Sequence, residues 1–127
     1  MIGYTIVGTN DLPRATAFYD ALFDTVGVKR LMEFGDRGLC WGVSWEKPAF
    51  GLMKPYDGRP ATWGNGTMIA LVMDQRAKVD ALHAKAVALG SIDEGKPGER
   101  GPGFYGAYFR DLDGNKICCF CTQPAAA

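Results

Sequence analysis

The spacing of apolar residues predicts a strand followed by an amphipathic helix at the start of the chain. Residues 2–8 form a short apolar run rich in β-branched side chains, which is typical of a strand. Residues 14–26 carry apolar side chains at spacings of three and four, the period of a helix with one buried face. Asn10 or Asp11 can cap this helix, and Gly27 can end it.

The same order of elements is predicted twice. Strands at 29–34, 39–45 and 50–54 complete a first βαβββ unit, because turns rich in Gly, Pro and Asp separate them. In the second unit, a strand at 68–73 precedes a helix and strands at 91–93, 107–109 and 116–121; one face of this helix carries Val79, Leu82, Ala86 and Leu89. Matching landmarks lie 63 or 64 residues apart: Tyr4 and Met68, Asp11 and Asp74, Leu22 and Ala86, and Gly27 and Gly90.

This repetition predicts an α+β fold of two tandem βαβββ modules, at about residues 1–57 and 65–122. We expect the two modules to form one domain over residues 1–122, with 123–127 as a frayed tail. A coincidence of lengths is the alternative, because many α+β proteins contain strand–helix pairs of similar size.

Composition is that of an ordinary globular protein and argues against several partners. The 127 residues are 47% hydrophobic and 22% charged, and fourteen basic residues balance fourteen acidic ones. Because no basic run would attract a phosphate backbone or an anionic membrane, we expect no nucleic-acid or membrane partner. No long apolar segment or secretory leader is recognisable, so we expect a soluble cytoplasmic protein. The crowded Cys118, Cys119 and Cys121 favour reduced core thiols over disulfides.

Three segments resemble the vicinal oxygen chelate superfamily of glyoxalase I, bleomycin resistance proteins and extradiol dioxygenases. Val7-Gly8-Thr9-Asn10-Asp11-Leu12, with Ala17-Phe18-Tyr19, resembles the opening strand and helix of these proteins. The stretch 110–117 resembles their D-P-D-G-N-x-[IL]-E ending, with Leu112 in place of the proline, and 67–71 corresponds to their G-H-I-A-L strand. The resemblance covers about residues 2–120. It implies curled mixed sheets that enclose a cavity, helices on the outside and, in many members, a homodimer.

The resemblance also implies where a metal would bind, and this chain departs from the pattern there. In metal-dependent members, four inward side chains, usually His, Glu or Gln, hold a divalent ion. The corresponding positions here are Tyr4, Met68, Cys118 and a residue near Gly51, none of which is a His or a carboxylate. The only histidine, His83, lies inside the second helix, where we expect a surface or boundary residue. We therefore predict no metal and no other cofactor.

Strand alternation, placed in the register of the resemblance, predicts an apolar and aromatic cavity wall. The strand at 39–45 carries Trp41 on one face with Leu39, Val43 and Trp45, and Tyr105 lies in a glycine-rich segment that we expect to cover the opening as a mobile loop. The predicted ligand-binding residues are Tyr4, Trp41, Met68, Tyr105 and Cys118. Further candidates for attracting an anionic ligand, although usually solvated, are Arg59, Arg100 and Arg110.

Three functions remain open. The first is a metal-free member that binds a small apolar or aromatic molecule, as drug-sequestering resistance proteins do. The second is an enzyme: a metal-dependent lyase, isomerase or dioxygenase similar to lactoylglutathione lyase, or a metal-free catalyst using Tyr4 or Cys118 as an acid or base. The third is an interaction module whose dimer surface is the working part.

Overall fold

The computed structural model describes residues 1–122, so the predicted tail at 123–127 lies outside the described residues. Two helices and eight strands follow one another in the order predicted from the sequence. They are β1 (Tyr4–Gly8), α1 (Leu12–Asp24), β2 (Lys29–Glu33), β3 (Gly38–Gly42), β4 (Ala49–Met53), β5 (Ile69–Val72), α2 (Arg76–Ala88), β6 (Ile92–Gly101), β7 (Phe104–Arg110) and β8 (Lys116–Thr122).

The two halves of the chain have the same topology. The first sheet has the order β1-β4-β3-β2 and the second the order β5-β8-β7-β6. In each sheet the first strand of the module pairs in parallel with the last one, and the other pairs are antiparallel. Each helix has 13 residues, and Leu12 and Arg76, their first residues, are 64 positions apart. The predicted α+β fold of two βαβββ modules is confirmed.

Local chemistry explains where the helices begin and end. The side chain of Asp11 accepts a hydrogen bond from the backbone N–H of Arg14 at 3.1 Å, which caps α1 as predicted. Gly27 and Gly90 follow α1 and α2 with φ of 75° and 106°, a left-handed conformation that glycine adopts without steric cost. The repeated glycines therefore end the two helices in the same way.

One hydrophobic core extends across both modules. Each helix buries one face against its own sheet, and the two helices also contact each other. The buried residues of α1 are Ala15, Phe18, Tyr19, Leu22 and Phe23, and those of α2 are Val79, Leu82, His83 and Ala86. The helix-facing side of the second sheet includes Ile117 and Cys119, which alternate along β8 with Cys118 on the other face.

The turn between β7 and β8 fastens the second module to the first. The hydroxyl of Tyr19 on α1 donates to the buried carboxylate of Asp111 at 2.5 Å. The side-chain amide of Asn115 donates to the carbonyl of Gly8 at 3.0 Å, and Asp113 accepts from the backbone N–H of Asn10 at 2.9 Å. The D-x-D-G-N sequence thus forms a polar link between the modules.

The glycine-rich segment before Ala107 differs from the predicted loop. It forms a long β6 and an early start of β7, joined in an antiparallel ladder whose register shifts three times. Gly95, Gly98 and Gly101 lie at these irregular positions, where residues without a side chain accommodate a bulged strand. The glycines therefore mark bulges in a ladder, and Tyr105 lies in a strand, so the prediction of a loop there was wrong. Within residues 1–122, no helix is long and apolar enough to cross a membrane.

Candidate functional site

Each sheet has one face covered by its helix and one face free of helices, and the two sheets are not closed on each other. On the first sheet, the helix-free face forms an apolar depression of about 340 Å³, which we call the groove. All of its lining residues belong to the first module: Tyr4, Ile6, Phe34, Cys40, Trp45, Gly51 and Met53. A volume of this order falls at the lower end of the range for small-molecule sites.

Strand register explains the shape of the groove. Ile6 of β1 is paired with Gly51 of β4, and Gly51 is paired with Cys40 of β3, so these three residues form one row across the sheet. A Cβ atom on Gly51 would lie 3.0 Å from the carbonyl oxygen of Thr5 and 3.1 Å from Cγ1 of Ile6, which is tighter than ordinary contact. The glycine therefore forms the floor of the groove.

The rim of the groove is apolar and open to solvent. Tyr4 is 63% exposed, Ile6 49% and Trp45 54%. A monomer rarely leaves several large apolar side chains exposed side by side unless the surface binds something. The groove therefore has the composition of a binding surface.

The helix-free face of the second sheet is more polar and carries positive charge. Ala70 of β5 is paired with Cys118 of β8, which is paired with Tyr108 of β7, so these residues share a face. The guanidinium of Arg100 and the ammonium of Lys116 lie 5.6 Å and 5.7 Å from the centre of the Tyr108 ring. The Phe104 and Phe120 rings stack nearby at 5.1 Å. This face combines aromatic rings with cations.

The five predicted ligand-binding residues do not meet in one site of the single chain. Tyr4 lines the groove of the first sheet, whereas Cys118 lies buried on the second sheet. Met68 immediately precedes β5 and is 41% exposed. Contact of these three residues with a ligand stays a prediction.

Trp41 lies on the opposite side of the first sheet from Tyr4. Its ring packs against Tyr19 and Phe23 of α1, and its indole N–H donates to Asp20 at 2.9 Å. The predicted place on the helix-free wall was wrong, because the true strand end at Gly42 breaks the alternation that grouped Trp41 with Trp45. Trp41 instead borders a second apolar cavity of about 550 Å³, between α1, the helix side of the first sheet and the edge strand β5.

Tyr105 also lies on a helix side. It is a residue of β7 instead of a loop, and its hydroxyl donates to Asp80 of α2 at 2.6 Å. The bond to Asp80 raises the pKa of Tyr105, since a phenol that donates to a carboxylate loses its proton less readily. Arg76 lies over the same ring at 4.8 Å. These contacts hold the side chain against α2.

The family's metal positions do not fit a divalent ion in this chain. Gly51 has no side chain, and the thioether of Met68 is a weak ligand for a hard cation. Cys118 would supply a single soft thiol, and the Tyr4 and Met68 positions add neither an imidazole nor a carboxylate. Within residues 1–122, no three His, Cys, Asp or Glu side chains are grouped as a metal site.

His83 is more buried than expected for a surface or boundary residue. It is 6% exposed, its Nε2 atom lies 3.0 Å from Oδ1 of Asp93, and its ring packs edge-on against Phe109. Its exposure is lower than expected because Asp93 of β6 and Phe109 of β7 contact this part of α2. Cys40, Cys118, Cys119 and Cys121 are all buried and unpaired in the described residues, and their reduced state stays a prediction.

Three groove residues were not predicted: Phe34, Cys40 and Met53. The missing step was the pairing of β3 with β4, which places Cys40 beside Gly51. A search for antiparallel register around Lys47 and Pro48 would have found this row, because that turn joins the two strands.

Solved structures of known proteins share this architecture of two modules with free sheet faces. A glyoxalase/bleomycin resistance protein from Albidiferax ferrireducens T118 is 36% identical, with 95% of this chain and 98% of that chain covered and a TM-score of 0.85. No protein-family model matches the chain, and no curated protein matches it. At this identity and coverage, the chain belongs to the glyoxalase/bleomycin resistance/dioxygenase family, the vicinal oxygen chelate superfamily.

More distant structures support the fold alone. A family enzyme from Burkholderia phytofirmans PsJN is 18% identical, with a TM-score of 0.73 over 94% of this chain and 97% of that one. A lactoylglutathione lyase from Agrobacterium tumefaciens is 22% identical, with a TM-score of 0.68 over 95% of this chain and 92% of that one. The same fold therefore occurs in proteins with different names, and function must be argued from the site.

Proposed function

We propose that this protein binds a small apolar or aromatic molecule in the groove, without a divalent metal. The observation that supports this most directly is the lining itself: seven apolar, aromatic or small residues and no charged side chain. Two of the family's metal positions, Tyr4 and Gly51, lie in this lining and supply neither an imidazole nor a carboxylate. The groove is therefore suited to hold a ligand and lacks the means to polarise its oxygens.

Apolar burial contributes favourable free energy to such binding. Covering about 200 Å² of apolar ligand surface contributes roughly 5 kcal/mol at about 25 cal/mol per Å². Loss of ligand freedom offsets part of this. Ligands that also stack on Trp45 or Tyr4 gain aromatic contacts of about 1 kcal/mol each. Flat aromatic molecules should therefore bind better than linear aliphatic ones of equal size.

We also propose that a second copy of the chain covers the groove. Exposed apolar side chains occur on both sheets, including Tyr4, Ile6 and Trp45 on the first and Val72 at the edge of the second. Pairing the first sheet of one copy with the second sheet of its partner would bury both sets and enclose the ligand. Sedimentation analysis should find a dimer, and Val72→Glu should weaken it while Val87→Glu on α2 should not. A monomeric wild-type protein would refute this part of the proposal.

Of the two side chains considered for a metal-free enzyme, Tyr4 and Cys118, the thiol is in an unfavourable state for a base. Burial raises the pKa of Cys118, so its thiol stays protonated near neutral pH and is a poor base or nucleophile. Elemental analysis of protein purified without chelator should find a divalent-metal content well below one ion per chain. A stoichiometric metal would favour a metal-dependent lyase, isomerase or dioxygenase and overturn the proposal.

Binding can be tested with N-phenyl-1-naphthylamine, an uncharged aromatic probe whose fluorescence rises in apolar surroundings. Saturable binding is expected, and Ile6→Asn should weaken it about tenfold because a polar amide would replace an apolar wall. Val87→Asn is the matched control, since Val87 is similarly exposed but lies on α2. Equal loss in both variants, or no saturable binding by the wild-type protein, would contradict a specific site in the groove.

A further inference from the structure

We propose that Arg100, Tyr108 and Lys116 bind the anionic group of the ligand, a carboxylate or sulfonate attached to an aromatic or apolar body. We call these three residues the cationic patch. The inference rests on the proposed function, because the body of the ligand would occupy the groove of one copy while its anion meets the patch of the partner. It narrows the ligand class from apolar molecules to amphipathic organic acids.

The first support is the convergence of two cations on one ring. The Cζ atom of Arg100 lies 5.6 Å from the centre of the Tyr108 ring, and Nζ of Lys116 lies 5.7 Å from the same centre. Both contacts fall within the range of cation–π attraction. The Tyr108 ring therefore has two positively charged side chains as neighbours.

The second support is the way in which the backbone makes room for Arg100. A Cβ atom on Gly98 would lie 2.9 Å from Nη1 of Arg100, and one on Gly95 would lie 3.3 Å from Nη2 and 2.9 Å from the Tyr108 ring. Side chains at either position would displace the guanidinium. Nη2 also donates to the carbonyl of Lys96, which orients the group. The two glycines therefore leave room for the guanidinium beside the Tyr108 ring.

The third support is the charge balance of the arginines that were candidates from the sequence. Arg59 lies 4.0 Å from the carboxylate of Asp57, and Arg110 pairs with Glu94. Among the residues that the structure describes, Arg100 has no carboxylate within ion-pair distance. The charge of Lys116 helps to lower the pKa of Glu94, but the hydrogen-bonded partner of that carboxylate is Arg110. The patch therefore keeps an uncompensated positive charge.

The chemistry of the patch matches an oxyanion. A guanidinium offers a planar fork of N–H donors, and a lysine adds a mobile point charge. Burial raises the pKa of Tyr108, so its hydroxyl remains a donor at neutral pH. Three donor groups with excess positive charge favour a carboxylate or sulfonate over a neutral polar group.

The test compares two probes that differ by one sulfonate: N-phenyl-1-naphthylamine and 8-anilinonaphthalene-1-sulfonate. The wild-type protein should bind the sulfonate about tenfold more tightly, which is the scale of one charge-assisted hydrogen bond at a partly exposed site. The double variant Arg100→Gln and Lys116→Gln should lose this preference while keeping its affinity for the uncharged probe. Arg76→Gln is the matched control, because Arg76 also lies over a β7 tyrosine but is paired with Glu99 on the helix side.

The outcomes separate the two proposals. Binding of the uncharged probe without a preference for the sulfonate would overturn the cationic patch and leave the groove intact. Failure of both probes would overturn the proposed function. A preference retained by the double variant, or lost equally in Arg76→Gln, would also overturn the patch. If the double variant does not fold, salt provides the test: added salt should reduce the sulfonate preference of the wild-type protein, and an unchanged preference would refute the inference.

Discussion

Tyr19→Phe should destabilise the protein by removing one hydrogen bond between its modules. The Tyr19 hydroxyl is buried and donates to Oδ2 of Asp111 at 2.5 Å, while Asp111 also accepts from Asn115 and from the backbone N–H of Asp113. Phenylalanine keeps the ring that packs against Phe18, Phe23, Trp41 and Phe50. The substitution therefore isolates the hydroxyl.

The expected loss is about 2 kcal/mol at pH 7, because hydrogen bonds to charged groups contribute roughly 1.5–3 kcal/mol. Burial raises the pKa of Asp111, and its hydrogen bonds, that of Tyr19 first, oppose this. Because the pKa of Asp111 is higher in the folded than in the unfolded protein, protonated Asp111 favours the folded state. This contribution to the free energy of unfolding is fully present below the unfolded pKa of about 4 and is lost as pH rises through the folded pKa. Without the Tyr19 hydroxyl, the pKa of Asp111 should rise further. The variant should therefore lose more stability between pH 4 and pH 7 than the wild-type protein loses.

Urea unfolding followed by circular dichroism at pH 4 and pH 7 measures both effects. A loss of about 2 kcal/mol shifts the midpoint by roughly 1 M for a slope of about 2 kcal/mol per M. Tyr105→Phe is the control, because Tyr105 donates to Asp80 at 2.6 Å in an exposed setting and should cost at most about 0.5 kcal/mol. Equal losses in the two variants, or a loss from Tyr19→Phe that does not grow with pH, would refute the reasoning.

Other consequences of the fold can be measured directly. Leu82→Ala should cost about 3 kcal/mol in urea unfolding, because Leu82 is fully buried on α2 and a cavity would remain; a loss below about 1 kcal/mol would contradict this packing. Gly27→Ala should cost about 1–2 kcal/mol through its positive φ, whereas Gly3→Ala, with neither a positive φ nor a close neighbour, should be neutral. Burial raises the pKa of Cys119 to about 12, so this thiol should resist Ellman's reagent at pH 8 in the folded protein and react after denaturation; rapid labelling of the native chain would argue against its burial.

The spacing of apolar residues along the chain was enough to predict the order of helices and strands and the repeated module. The spacing of Ala15, Phe18, Tyr19 and Leu22 is a local property of a helix, and the structure buries all four. The glycines at 27 and 90 ended the helices for an equally local reason, since each adopts a positive φ. The family resemblance also implied that Tyr4 and a residue near Gly51 point inward, and Tyr4 and Gly51 both line the groove.

Tertiary structure alone decided which faces are available to a ligand. Sequence alternation grouped Trp41 with Trp45, but the end of β3 at Gly42 separates them, and α1 covers Trp41. The glycines of β6 resembled a loop until the ladder with β7 showed them accommodating the Arg100 guanidinium. Charge pairing likewise depends on the tertiary structure. The sequence does not distinguish Arg59, Arg100 and Arg110, whereas the structure pairs Arg59 and Arg110 with carboxylates and, among the described residues, gives Arg100 none. Local periods determine which elements form, whereas the packing of distant segments determines what each exposed face can bind.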